Sequence, residues 1–187
     1  LKKRHDFICG RSAYLYHGGL EAVIKQLKYH DKKYYSRFLA KITYDELKDY
    51  IEIVNPDFLV PVPVHFLRKF KRGYNQAYEI SAELSHLSGI KTLKLLKRIR
   101  YTKPQNKLKQ KQRLSNLKSS ISVDDRCFDT YQSIHEKQEL EVIKKQKLKV
   151  MIVDDIYTTG TTMDACANAF KEFGIEDVYF ITVATGN

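Results

Sequence analysis

No apolar run in this 187-residue chain approaches the roughly 20 residues that a membrane-spanning helix needs, and no signal-peptide pattern opens it. A bilayer span and a secretory route are therefore not expected, and a cytoplasmic location is. Only three cysteines occur, Cys9, Cys127 and Cys166, odd in number and far apart. They supply neither a disulfide framework nor a Cys-x-x-Cys metal site, and the six histidines do not cluster with them, so no structural zinc is expected. No internal repeat divides the chain. Acidic residues are missing from one place in particular: residues 91–123 hold eleven Lys or Arg and no Asp or Glu, so their charge equals the +11 excess of the whole chain. A solvated helical face normally mixes signs, and a stretch of one sign asks for an anionic partner.

What is present reads as one ordinary globular core. Apolar residues make up 43% and charged residues 29%, enough for a buried interior. Tyr14-Leu15-Tyr16 is strand-like. From Leu20 the apolar spacing turns helical, through Val23, Ile24 and Leu27, then Phe38, Leu39 and Ile42, then Leu47, Ile51 and Val54. Asn55-Pro56-Asp57 breaks it. Phe58 to Pro63 predicts a strand, residues 64–76 a basic loop, and Asn75 a cap for a helix over Ala77 to Leu87. Short strands are expected at Thr92–Leu96 and Ser120–Val123, with polar loop over most of Arg98–Ser120. Lys149–Val153 and Val178–Ala184 complete the strands, while residues 124–147 carry no legible chemistry. Strands alternating with helices predict an α/β fold: an open, mostly parallel sheet with flanking helices. The expected division is a small, mainly helical N-terminal extension over residues 1–55 and a core over residues 56–187.

The stretch from Val150 to Thr162 is the most informative. A Val- and Ile-rich strand ends in Asp154 and Asp155, and a loop of Thr158, Thr159, Gly160, Thr161 and Thr162 follows. A helix then presents Met163, Cys166, Ala167, Phe170 and Phe173 on one face and stops at Gly174. In an open parallel sheet, ligands bind beyond the carboxyl ends of the strands, where this loop would lie. Free N–H groups at the helix start attract phosphate, Gly160 lets the backbone approach it, and the threonine hydroxyls add donors. The acid pair, set back from that anion site, suits sugar hydroxyls. Together they describe a ribose 5-phosphate. A P-loop enzyme also carries a strand-end Asp, but no Gly-x4-Gly-Lys-[Ser/Thr] segment occurs. In a phosphoacceptor receiver domain the acid pair opens the domain, and here too little chain follows Asp155. A purely structural turn has no need of adjacent acids.

The same run resembles the binding motif for 5-phosphoribosyl 1-pyrophosphate (PRPP) of the type I phosphoribosyltransferases. A second segment, Pro61-Val62-Pro63-Val64-His65-x-x-Arg68-x-x-x-Arg72-Gly73-Tyr74-Asn75-Gln76-Ala77, resembles the signature of the ComF/ComFC competence family, phosphoribosyltransferase-like proteins linked to natural transformation. A third, Arg98-x-Arg100-x-Thr102-x-x-Gln105-x-x-Leu108 and then Arg113-x-x-Asn116, is similar as well, and Lys28-Tyr29 fits an N-terminal family stretch. The likeness runs in order over about residues 15–187. It implies the type I phosphoribosyltransferase fold, with Asp154 and Asp155 on the ribose hydroxyls and Thr158 to Thr162 on the 5′-phosphate. It implies a pyrophosphate loop built on Arg68, Arg72 and Gly73, since guanidinium pairs bidentately with a diphosphate. It also implies a flexible loop over residues 98–116, and Mg²⁺ arriving with PRPP. Family members usually begin with a cysteine-rich zinc-binding segment. Here only Cys9 is present and the chain opens at Leu1, so a preceding piece is expected.

Several residues have plainer readings. Arg68, Lys69, Lys71 and Arg72 suit a solvated loop, His65 a turn, and Cys166 the core. Tyr34, Tyr35, Tyr74 and Tyr101 could stack on bases, but half-buried packing suits them too. The basic residues Lys97, Arg98, Arg100, Lys103, Lys107, Lys109, Lys111 and Arg113 fit an active-site lid, a contact to single-stranded DNA, or both. Two functions stay open. One is a DNA-uptake factor that keeps a PRPP site and meets other uptake or recombination proteins. The other is an active phosphoribosyltransferase on a base or small metabolite, for which no base-recognising segment is legible.

Overall fold

The apolar runs around residues 58–62, 149–153 and 178–184 pair side by side in the computed structural model, which describes residues 5–27, 32–64, 73–98, 120–127 and 148–186. In chain order the elements are β1 (Cys9–Leu15), α1 (Gly18–Gln26), α2 (Lys32–Val54), β2 (Phe58–Pro61), α3 (Gln76–Ser88), β3 (Leu96–Arg98), β4 (Ile121–Val123), β5 (Lys149–Tyr157), α4 (Thr161–Glu172) and β6 (Asp177–Thr185). Four strands form one sheet in the order β1-β6-β5-β2, and every pairing in it is parallel. Beyond β2, Thr92 adds a single parallel bridge to Leu59.

Strand alternation divides the core into two layers. Phe58, Val60, Val150, Ile152, Val178 and Phe180 face α4 and the β3–β4 ribbon. Leu59, Met151, Val153, Ile181 and Val183 face α1, α2 and α3. A strand covered on both sides has no polar face, which is why Val150 to Val153 of β5 read as an unbroken apolar run. Val150, Met151, Ile152 and Val153 are at most 1% exposed. Burying each such side chain contributes about 1.5–3 kcal/mol.

The helices follow their expected faces. Ile24, Leu27, Leu39, Leu47, Ile51 and Val54 are buried, as are Met163, Cys166, Ala167 and Phe170 on α4. Phe38 is instead 45% exposed. Asn75 caps α3 through its side chain, accepting from the Ala77 N–H at 3.1 Å. α4 stops where Gly174 takes a positive φ of 94°.

Three boundaries differ from expectation. The first strand spans Cys9–Leu15 rather than Tyr14–Tyr16, because β6 offers it a parallel partner from Tyr179 to Thr185. The N-terminal segment thus contributes an edge strand to the sheet itself, besides two helices. The acid pair lies inside β5 and not after it, since the ladder to β6 runs on through Asp154↔Thr182 to Tyr157↔Thr185. Thr92–Leu96 gives only the bridge at Thr92. The strand begins at Leu96 and pairs antiparallel with β4 in a separate ribbon.

Candidate functional site

The chain leaves β2 through α3 toward Thr92 on one side, and leaves β5 through α4 toward β6 on the other. The crevice between the carboxyl ends of β2 and β5 is therefore a topological switch point, where the flanking loops diverge and make room for a ligand. Val62 N donates to the Val153 carbonyl at 2.9 Å, so the register runs on past Pro61 and sets Val62 beside Asp154.

Asp154 and Asp155 are both half-buried. Neighbouring strand positions project to opposite sides, so Asp154 follows Ile152 toward α4 and Asp155 follows Val153 toward α3. Asp154 Oδ1 accepts from the Asp155 N–H at 2.9 Å. Asp154 also acts on the buried Cys166 thiol. Burial pushes that thiol well above its usual range and the Asp154 charge adds to the effect, while Arg98 opposes it.

The loop after β5 brings its hydroxyls together. Thr159 Oγ1 and Thr161 Oγ1 are 2.8 Å apart, and Thr158 and Thr159 are exposed. Gly160 is the N-cap of α4, with φ 73° and ψ −4°. Its backbone conformation favours glycine, and so does its space: a Cβ there would lie 2.6 Å from the Tyr157 hydroxyl oxygen and 3.2 Å from His5 Cε1. Ile156, Tyr157, Thr158, Gly160, Thr161 and Thr162 line a small depression at this helix start. Unpaired N–H groups and hydroxyls in such a depression suit a phosphate.

Across the switch point, Gly73 has φ 79° with open space around it, so conformation alone calls for glycine there. Asn75 Nδ2 donates to the Val62 carbonyl at 2.9 Å and draws the two ends of the 63–75 loop together. The Tyr74 hydroxyl donates to the Leu27 carbonyl. A cavity of about 400 Å³ opens beside this loop, lined by Pro63, Gly73, Tyr78, Lys94, Lys97 and Arg98 among others. The Lys94 ammonium sits 3.8 Å from the centre of the Tyr78 ring, and Lys97 pairs with Asp124 at 3.6 Å.

Asp154, Asp155 and Thr158 to Thr162 are thus brought together, with Gly73 and Arg98 near the same end of the sheet. Arg68, Arg72, His65, Lys28, Tyr29, Arg100, Lys103, Lys107, Lys109, Lys111 and Arg113 lie outside the described residues, as do residues 128–147. Among the described residues no group of three or more His, Cys, Asp or Glu converges to hold a metal. Cys9 is half-buried, Cys127 exposed and Cys166 buried. Among the described residues no helix is long and apolar enough to cross a membrane. Sequence reasoning did not find His5, Phe7 and Asp164 near the loop of Thr158 to Thr162. The one available signal was an acid in the first turn of α4, which is common at helix starts.

Residues 36–187 match the phosphoribosyl transferase domain. Over 166 residues, 85% of this chain, the sequence is 28% identical to Competence protein F of Haemophilus influenzae. It is 28% identical to DNA utilization protein YhgH of Salmonella typhi over 163 residues, again 85% of the chain. Competence protein ComFC of Bacillus subtilis is 26% identical over 168 residues, 88% of the chain. The matched stretches span 65%, 64% and 58% of those proteins' own lengths. These likenesses support the ComF-type resemblance carried by the Pro61–Ala77 segment. With a domain match over most of its length and a parallel sheet to go with it, the chain belongs to the phosphoribosyl transferase domain family.

Proposed function

We propose that this chain binds PRPP, or ribose 5-phosphate, where the carboxyl ends of β2 and β5 meet, and that it serves DNA uptake as a ComF-type protein contacting single-stranded DNA. The observation that supports the ligand reading is the placement of the acid pair and the Thr-Gly-Thr loop together at the topological switch point. In this reading the loop and the start of α4 take the 5′-phosphate, and Asp154 and Asp155 the ribose hydroxyls. The loop that ends at Gly73, with Arg68 and Arg72, takes the diphosphate. The two half-buried carboxylates offer hard oxygens of the kind Mg²⁺ accepts. With no larger ligand cluster among the described residues, the ion would come mainly on the substrate's phosphates. Calorimetric titration of PRPP with Mg²⁺ tests this: Asp154→Asn with Asp155→Asn abolishes binding while the protein stays folded. Unchanged affinity in that double mutant refutes the site.

The DNA half of the proposal is supported by the acid-free stretch of residues 91–123 and by the names of the relatives, which speak of competence and DNA utilization. Backbone contacts by residues among Lys97, Arg98, Arg100, Lys103, Lys107, Lys109, Lys111 and Arg113 release counterions, so log K falls by about 0.7 per phosphate for each unit of log salt. Six contacts give a slope of about −4, and replacing Lys107, Lys109 and Lys111 by Gln flattens it by about 2. A salt-independent affinity for single-stranded DNA ends that reading. If the stretch is a lid alone, the triple variant instead weakens PRPP binding and leaves DNA affinity untouched. Pyrophosphate release from PRPP against a panel of bases separates a binding protein from the alternative, an active phosphoribosyltransferase.

A further inference from the structure

The segment before β1 turns across the start of α4. Ile8 N donates to the Val178 carbonyl at 2.8 Å and begins the β1–β6 ladder. Just upstream, His5 Nδ1 stands 2.9 Å from Asp164 Oδ1, and the Asp6 N–H donates to the same oxygen at 3.2 Å. The His5 ring stacks on Phe7 with centroids 4.6 Å apart, and Phe7 meets Phe180 edge-on at 4.8 Å. Phe180 lies flat on Tyr157 at 5.0 Å and 4°. The Tyr157 hydroxyl and the His5 ring edge both end at Gly160. This chain of contacts therefore begins and ends at the phosphate loop, with a buried strand residue in its middle.

Asp164 is what gives the arrangement a purpose. It is 2% exposed, in the first turn of the helix whose N-terminus forms the depression. A carboxylate there suits the helix dipole, but it is a like charge within a turn of any phosphate bound at the same end. Burying it without hydrogen bonds is costly. Two donors from the N-terminal segment supply those bonds and draw the negative charge toward the aromatic stack.

We infer that residues 5–7 clamp the phosphate loop, with His5 as a positioning residue for the 5′-phosphate. It acts through Asp164, by offsetting its charge, and through Tyr157 and Gly160, by holding the loop in place. The inference rests on the proposed ribose 5-phosphate reading of the same site.

The test uses calorimetry on the full chain with three probes: ribose 5-phosphate, inorganic phosphate and pyrophosphate. Loss of a hydrogen bond to a charged group lowers affinity about tenfold. His5→Ala therefore weakens ribose 5-phosphate and inorganic phosphate by about that factor, while pyrophosphate, taken by the loop ending at Gly73, binds as before. His5→Asn, whose amide nitrogen takes the place of Nδ1, restores the affinity. Asp164→Asn added to His5→Ala also recovers it, because the negative charge beside the bound phosphate is gone. A wild-type chain that binds ribose 5-phosphate and a His5→Ala variant that binds it equally well overturn the clamp and leave the site standing. Equal losses for all three probes, or no rescue by either second variant, mark general loosening and overturn it too. A wild-type chain that binds no ribose 5-phosphate overturns the ligand reading, and the clamp with it.

Discussion

Gly160→Ala probes the loop between β5 and α4 where two costs can be separated. The first is conformational: φ 73° lies in the left-handed region, which costs an alanine about 1–2 kcal/mol. The second is steric, since the new methyl would stand 2.6 Å from the Tyr157 hydroxyl oxygen. That oxygen ends a side chain, but its ring is stacked on Phe180, which is only 5% exposed, so it does not swing aside freely. Overpacking of this kind costs about 1–3 kcal/mol. Together they amount to about 3 kcal/mol, and at about 2–4 °C per kcal/mol for a chain of this size Tm falls by roughly 10 °C. Tyr157→Phe removes the oxygen and leaves the ring. In that background Gly160→Ala is expected to cost mainly the conformational part, with only the looser 3.2 Å approaches of the ring carbon and His5 Cε1 remaining, a coupling of about 1–2 kcal/mol in the double-mutant cycle. Urea denaturation of the four proteins measures it. Costs that add to within about 0.5 kcal/mol refute the steric half of the reasoning.

Two further outcomes follow from the packing. Gly10→Ala places a methyl 2.1–2.3 Å from three Phe180 ring atoms and forces that ring off Phe7 and Tyr157. A loss of about 3 kcal/mol in urea denaturation is expected, and less than about 1 would show that the ring relocates freely. Because burial raises the Cys166 thiol above its ordinary range, little thiolate exists at pH 8. A thiol reagent should then label exposed Cys127 first and Cys166 only in denaturant, and rapid modification of Cys166 in the native protein would contradict its placement.

The elements with strong local signals were legible in the sequence. β5 and β6 are Val- and Ile-rich runs, α4 carries a clean apolar face, and Asn75 caps α3 by its side chain alone. Each depends on residues a few positions apart, and periodicity reports such local relations directly. The acid pair and the Thr-Gly-Thr loop were legible for the same reason, as one short segment that carries its own chemistry. Their position beside the loop from β2 came only with the strand order, which sets β2 next to β5.

Other features answer to partners far away in the chain. Cys9 to Ala13 shows neither alternation nor a run of branched residues, and it is a strand because β6 lies beside it. β5 runs on through Asp154 and Asp155 because β6 continues to Thr185, and that ladder turns two adjacent acids to opposite sides of the sheet. Gly10 reads as a weak point in a strand until Phe180 is seen to occupy the space above it. His5 and Asp164 are separated by 159 positions, and no pattern in the residues between them links the two. The sequence by itself determined which segments become the apolar strands and which short segment carries the acid pair and the threonine loop, because those depend on local composition. Only the tertiary structure decided what holds that loop, because its supports come from the two ends of the chain and meet only when β1 closes against β6.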